Sequence, residues 1–110
     1  MTAYHERIFD ALGDATRRAV FARVRERPRS VAEIASGLDV SRAAVSQHLR
    51  VLKDAQLVVD RPEGTRRIYS VDARGLEAIR HWLDGVWDVA LAAFAEAAER
   101  AAQEQGEEER

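Results

Sequence analysis

The sequence predicts one small, mostly helical α+β domain with its elements in the order α-α-α-α-β-β-α. Three observations carry this. A chain of 110 residues has the length for a single hydrophobic core. Two prolines and six glycines separate segments whose apolar residues recur at helical spacing. One pair of short β-branched runs, at 57–60 and 66–71, flanks a turn that contains Pro62 and Gly64. Residues 1–103 are expected to form the domain. Residues 104–110, EQGEEER, are poor in apolar side chains and are expected to be a disordered acidic tail.

The first helix carries Ile8, Phe9 and Leu12 and stops at Gly13. Asp14 can cap the next helix, ATRRAVFARVRE, because its carboxylate accepts from the unpaired first-turn amides. That helix turns Ala19, Val20 and Val24 inward and ends before Pro28. Ser30 and Glu33 have the spacing of a capping box. The short helix they open points Ile34, Ala35 and Leu38 to the core and ends around Gly37. Ser41 caps a further helix that runs to about Ala55. Two helices joined by three or four residues have helix-turn-helix spacing. The two strands follow, with Gly64 available for a positive φ in the turn between them. Asp72 opens the last helix, which is expected to run to about Gln103.

Composition excludes several functions. With no cysteine, disulfides, thiolate metal sites and thiol nucleophiles are ruled out. No stretch approaches the roughly 20 apolar residues of a membrane span. The start MTAYHERIFD lacks the basic and apolar blocks of a signal peptide. A soluble cytoplasmic chain with no membrane partner is expected. The formal net charge of −2 argues at first sight against a nucleic-acid partner. The distribution changes that. Residues 14–70 hold 12 Arg/Lys against 7 Asp/Glu, whereas 71–110 hold 4 against 10.

The helix opened by Ser41 lies in the basic part. On a helical wheel Val45, Leu49 and Leu52 share the inward face. Ala43, Gln47 and Arg50 lie opposite, with Arg42, Ser46 and Lys53 on one flank. Positions 41–53 contain no carboxylate. A plain solvated face would mix both signs. Gln pairs with adenine and Arg with guanine in a major groove, and a first turn of small residues lets the backbone approach closely. Ser41 and the first-turn amides suit a phosphate. His48 lies at the edge of the inward stripe, where it either packs between helices or contacts a base or phosphate. The hairpin sets Arg61, Arg66 and Arg67 against Asp60 and Glu63, a basic tip suited to phosphates or a minor groove.

The run AEIASGLDVSRAAVSQHLRVLKDAQLVVDRPEGTRRIYSVD closely resembles the core of the ArsR family of bacterial transcriptional repressors, and ALGDATRRAVFARV resembles the family's preceding helix. The most specific parts are VSxHLxVLxxA and the G-T-R-R-x-Y hairpin. The resemblance covers about residues 4–95. It implies a winged helix-turn-helix fold and a homodimer on a palindromic operator near its own or adjacent genes. It assigns Ser41, Arg42, Ala43, Ser46, Gln47 and Arg50 to the recognition helix and Arg61, Arg66 and Arg67 to the wing. Lys53 extends the basic flank of that helix. Ala15 and Ala43 stand where the family often has Pro, which a helix start favours without requiring. Gln56 replaces the usual Gly. In a left-handed conformation it would cost on the order of 1 kcal/mol against Gly.

Metal-sensing members use a Cys-x-Cys pair that this chain lacks. Glu77, His81, Asp84 and Asp88 follow one face of the last helix, but one His among carboxylates is a weak zinc site. A solvated helix face accounts for them, so no cofactor is expected and the effector is unassigned. The last helix also carries a broad apolar arc from Leu76 to Ala98, wider than one core contact needs. A second copy of the chain is the simplest cover. The expected interface is Ile8, Phe9 and Leu12 with Leu83, Val86, Trp87, Ala90, Leu91 and Phe94. An enzyme is not expected, because Ser46 and His48 point in different directions from one helix. The rival reading is a winged-helix module that dimerises without binding DNA.

Overall fold

The structure, a computed structural model, describes residues 3–108. Its elements are α1 (Ala3–Leu12), α2 (Ala15–Glu26), β1 (Arg29–Ser30), α3 (Val31–Ser36), α4 (Arg42–Asp54), β2 (Val58–Glu63), β3 (Arg66–Val71) and α5 (Ala73–Glu108). The expected order holds, with β1 added. The sheet is antiparallel in the order β1-β3-β2. Strand β1 pairs Arg29 with Tyr69 and Ser30 with Ile68. Two residues cannot display a period of two, so no alternation announced this strand. The hairpin runs in register from Val58↔Val71 to Glu63↔Arg66. Gly64 turns it at φ 64.

The caps form as their chemistry requires. Asp14 Oδ1 accepts from the amides of Thr16 at 2.9 Å and Arg17 at 3.5 Å. The Glu33 amide donates to Ser30 Oγ at 3.3 Å, and Glu33 Oε1 accepts from the Ser30 amide at 3.4 Å, which completes the capping box. The Ala44 amide donates to Ser41 Oγ at 3.1 Å. Each cap satisfies amides that a helix start leaves unpaired.

The core gathers Val20, Val24, Ile34, Leu49, Leu52 and Leu57 from successive elements, all almost fully buried. Ile8 corrects one expectation. It is wholly buried in the chain's own core together with Ala11, three residues on along the same face of α1. It therefore offers no surface to a second copy. Leu12 is partly buried against that core, and Phe9 is half-buried.

The basic residues of α2 and its exit are also internal devices. Arg17 donates to the carbonyls of Asp10 and Ala11, and Arg18 to that of Leu12 at 2.6 Å. Together they close the C-terminus of α1, whose last carbonyls lack helical partners. Arg23 donates to the Glu33 carbonyl at 3.0 Å. Arg29 is buried and bonds the Arg23 carbonyl and the Glu26 carboxylate. Much of the positive excess in 14–70 thus serves packing.

Gln56 is left-handed, at φ 58. The structure supplies what holds it there. Its amide donates to the Lys53 carbonyl at 3.0 Å, its own carbonyl accepts from the Gly75 amide at 2.8 Å, and Tyr4 Oη donates to its Oε1 at 2.6 Å. Helices α1, α4 and α5 meet at this residue.

The chain divides into two compact units at Ile79 and Arg80. In the second, Leu83, Val86, Leu91 and above all Trp87 (61% exposed) and Phe94 (68%) lie open, and Ala90 is half-buried. His81, Trp82, Val86, Val89, Ala90 and Ala93 line a shallow apolar groove of about 650 Å³ along this stretch. Helix α5 continues to Glu108, past the expected end at Gln103. Disorder is the expectation from 104; the helix instead runs on through Gly106, flanked by the good helix formers Glu and Gln. Glu109 and Arg110 lie outside the described residues.

Candidate nucleic-acid interface

Helices α3 and α4 form the helix-turn-helix. Period 3.6 places Val45, Leu49 and Leu52 inside and leaves Arg42, Ala43, Ser46, Gln47, Arg50 and Lys53 exposed. Ser41 is exposed at the cap. Among the described residues, no hydrogen bond or ion pair engages the side chains of Arg42, Gln47 or Arg50. These three project from a surface free of carboxylates until Asp54. His48 is half-buried and lines a notch of about 260 Å³ with Arg17, Gln47, Arg50 and Val51. Its field helps to hold the Asp14 carboxyl below its ordinary value, after the larger effect of the Thr16 amide.

The hairpin cations are less independent than their positions in the sequence imply. Arg61 pairs with Glu63 at 3.3 Å, and Arg66 reaches Glu33 of α3 at 3.4 Å. Lys53 Nζ and Arg67 Nε both grip Asp60, at 2.8 and 2.5 Å. Asp60 has its side chain 6% exposed. The hydrogen bonds from Lys53 and then Arg67 hold its carboxyl below the ordinary Asp value, and the same contact raises Arg67. Glu33 is likewise lowered, first by the amide and hydroxyl of Ser30 and then by Arg27 and Arg66.

The hairpin, α3 and α4 enclose a cleft of about 450 Å³ whose walls include Ser30, Arg42, Ser46, Thr65, Arg66 and Tyr69. A neighbouring cleft of about 470 Å³ brings Ser46, Arg50, Lys53, Asp60, Arg67 and Tyr69 together. Arg42, Ser46, Arg50, Lys53, Arg66 and Arg67 therefore meet around these two clefts, whereas Ser41, Ala43, Gln47 and Arg61 line neither. Sequence reasoning set Asp60 against the hairpin arginines but did not foresee its grip on Lys53, and it missed Glu33, Thr65 and Tyr69 as parts of this surface. The Glu33–Arg66 pair spans 33 residues and had no signal in the sequence. The arrangement offers hydrogen-bond donors and guanidinium groups on a convex helix flanked by a basic hairpin, a chemistry matched to a polyanion with readable edges.

Glu77, His81, Asp84 and Asp88 do not assemble into a metal site. Among the described residues no group of three or more His, Asp or Glu is placed to hold an ion. No helix among them is long and apolar enough to cross a membrane.

Comparisons with known proteins agree with this geometry. A helix-turn-helix domain family matches residues 12–61. The HTH-type transcriptional regulator Rv2034 of Mycobacterium tuberculosis is 53% identical over 91 residues, covering 83% of this chain and 85% of that protein. Among solved structures, an ArsR-like transcriptional regulator from Rhodococcus sp. RHA1 superposes with a TM-score of 0.73 at 29% identity, over 87% of this chain and 93% of that one. The homodimeric winged helix-turn-helix DNA-binding domain of Mb0332 from Mycobacterium bovis, a possible ArsR-family regulator, gives a TM-score of 0.63 at 26% identity, over 80% and 82%. With the hairpin as its wing and α4 as its recognition helix, the chain belongs to the ArsR family of winged helix-turn-helix transcriptional regulators.

Proposed function

We propose that the chain is a cytoplasmic, homodimeric repressor that binds a palindromic operator near its own or adjacent genes, with no catalytic step. The observation that carries this is the exposed face of α4, where among the described residues the side chains of Arg42, Gln47 and Arg50 have no partner and positions 41–53 carry no carboxylate. Each subunit inserts α4 into a major groove, the two grooves lying about 34 Å apart. Gln47 and Arg50 read base edges. Ser41, Arg42, Ala43, Ser46 and Lys53 approach the backbone. Arg61 and Arg66 exchange their carboxylate partners for phosphates, and Arg67 meets a phosphate with the terminal nitrogens that Asp60 leaves free. The uncovered apolar face of α5 around Leu83, Trp87 and Phe94 supports pairing with a second copy, and Mb0332 is itself homodimeric. A bound dimer would repress by excluding polymerase.

The test uses a duplex that the wild-type chain enriches from a randomised pool. Gln47→Ala or Arg50→Ala should weaken binding by about 1–3 kcal/mol and relax base preference at one position. Unchanged affinity in both variants refutes the assignment. No salt-dependent binding of any duplex favours an interaction module instead.

A further inference from the structure

Asp60 stands out among the ionic contacts. Arg61–Glu63 is an exposed pair within one strand, of the kind that contributes little in water. Arg66–Glu33 is half-exposed. At Asp60 one carboxylate, 6% exposed, holds two cations that are themselves 54% and 55% exposed. Lys53 comes from the last turn of α4 and Arg67 from β3. Burying a carboxylate is costly unless the pairing is close and complete, so such a residue is weak evidence for stability alone. The geometry at Arg67 is informative. It binds Asp60 through Nε, and among the described residues its terminal nitrogens make no hydrogen bond. A guanidinium held at Nε keeps its terminal nitrogens available to a second acceptor. Tyr69 and Ser46 line the same cleft and limit where the side chain can swing.

We propose that Asp60 is a positioning residue for operator recognition. It locks the hairpin to the recognition helix through Lys53 and Arg67, and so sets where Arg67 meets a phosphate. This rests on the DNA-binding reading above. The two ideas separate because of a sign. Removing a carboxylate from a DNA-facing surface should, by charge alone, tighten binding to every duplex. Removing a positioning residue should weaken binding to the chosen site while leaving indiscriminate binding intact.

The experiment uses the full chain, a 30-base-pair duplex enriched by the wild type from a randomised pool, and poly(dI-dC) as the indiscriminate probe. Asp60→Asn is expected to lose about tenfold on the enriched duplex and to hold or gain on poly(dI-dC). Binding of the enriched duplex that is equal to or tighter than wild type overturns the proposal. Adding Asp60→Asn to Arg67→Gln is expected to cost no further affinity, because the loss runs through Arg67 and only the charge effect remains. Multiplying losses overturn it. If Asp60→Asn does not fold, Arg67→Lys replaces it. Lysine keeps the charge but lacks a second edge, so the enriched duplex should lose several-fold and poly(dI-dC) should not. Equal losses on both overturn the proposal. If the wild type enriches no duplex, the DNA-binding reading itself fails and this inference falls with it.

Discussion

Substituting Gly75 by alanine tests how α5 is anchored to the hinge between α4 and the wing. A Cβ at Gly75 would lie 2.5 Å from the Gln56 carbonyl oxygen, 2.9 Å from its carbonyl carbon and 2.9 Å from Leu57 Cδ2. Ordinary contact begins near 3.4 Å, so the oxygen is roughly 0.9 Å too close. That oxygen cannot simply move aside. It accepts from the Gly75 amide and belongs to a residue already at φ 58. Overpacking of this kind costs about 1–3 kcal/mol, and alanine recovers close to 1 kcal/mol in helix propensity. The net expectation is about 0–2 kcal/mol of destabilisation, or a melting temperature lower by up to roughly 10 °C in a domain this size. Gly106→Ala is the control. Nothing lies within 4 Å of its Cβ position, so it should be neutral or slightly stabilising. Thermal unfolding followed by circular dichroism reads both. Gly75→Ala melting above wild type would refute this account of the hinge.

Two further outcomes are expected. Tyr4→Phe should cost about 0.5–1.5 kcal/mol by removing the 2.6 Å bond to Gln56. The cost should vanish in a Gln56→Gly background, and an equal loss in both backgrounds in urea melts would contradict the link. Acid should unfold the protein through its paired carboxylates. Asp60 is held low by Lys53 and Arg67, and Asp72 by Arg74. A folded value below the unfolded one gives stability that is complete above the unfolded value and is lost as pH falls through the folded one. The urea midpoint should therefore hold from pH 8 to 5 and fall below about pH 4. The fall should be shallower in Asp60→Asn, and an identical fall in both proteins would exclude Asp60 as a contributor.

Much of this structure was legible because its elements are strongly punctuated. Asp14, Ser30 with Glu33, and Ser41 each announced a helix start, and each cap forms. The inward stripe of α4 followed from period alone. What stayed hidden depended on contacts distant in sequence. Strand β1 exists only because β3 lies beside it. Ile8 looked like surface because its burial is set by α2 and α4, which a single-helix pattern does not show. Counting charges found a basic middle but could not divide it. Arg17, Arg18, Arg23 and Arg29 tie helices together, whereas among the described residues Arg42 and Arg50 join no ion pair. Gln56 was the reverse case. Its place where the family usually has Gly raised the left-handed conformation that the structure shows, yet its Tyr4 partner, 52 residues away, could not be read.

The measurement that bears most directly on the central claim is the salt dependence of wild-type binding to its enriched duplex. A dimer that sets Arg42 and the wing arginines against phosphates should show a linear fall of log affinity with log salt. The slope should be about −0.9 for each phosphate neutralised, and therefore steeper than about −3. Arg66→Ala with Arg67→Ala should flatten it. A slope near zero, or no enriched duplex at all, would contradict the assignment of this face to DNA.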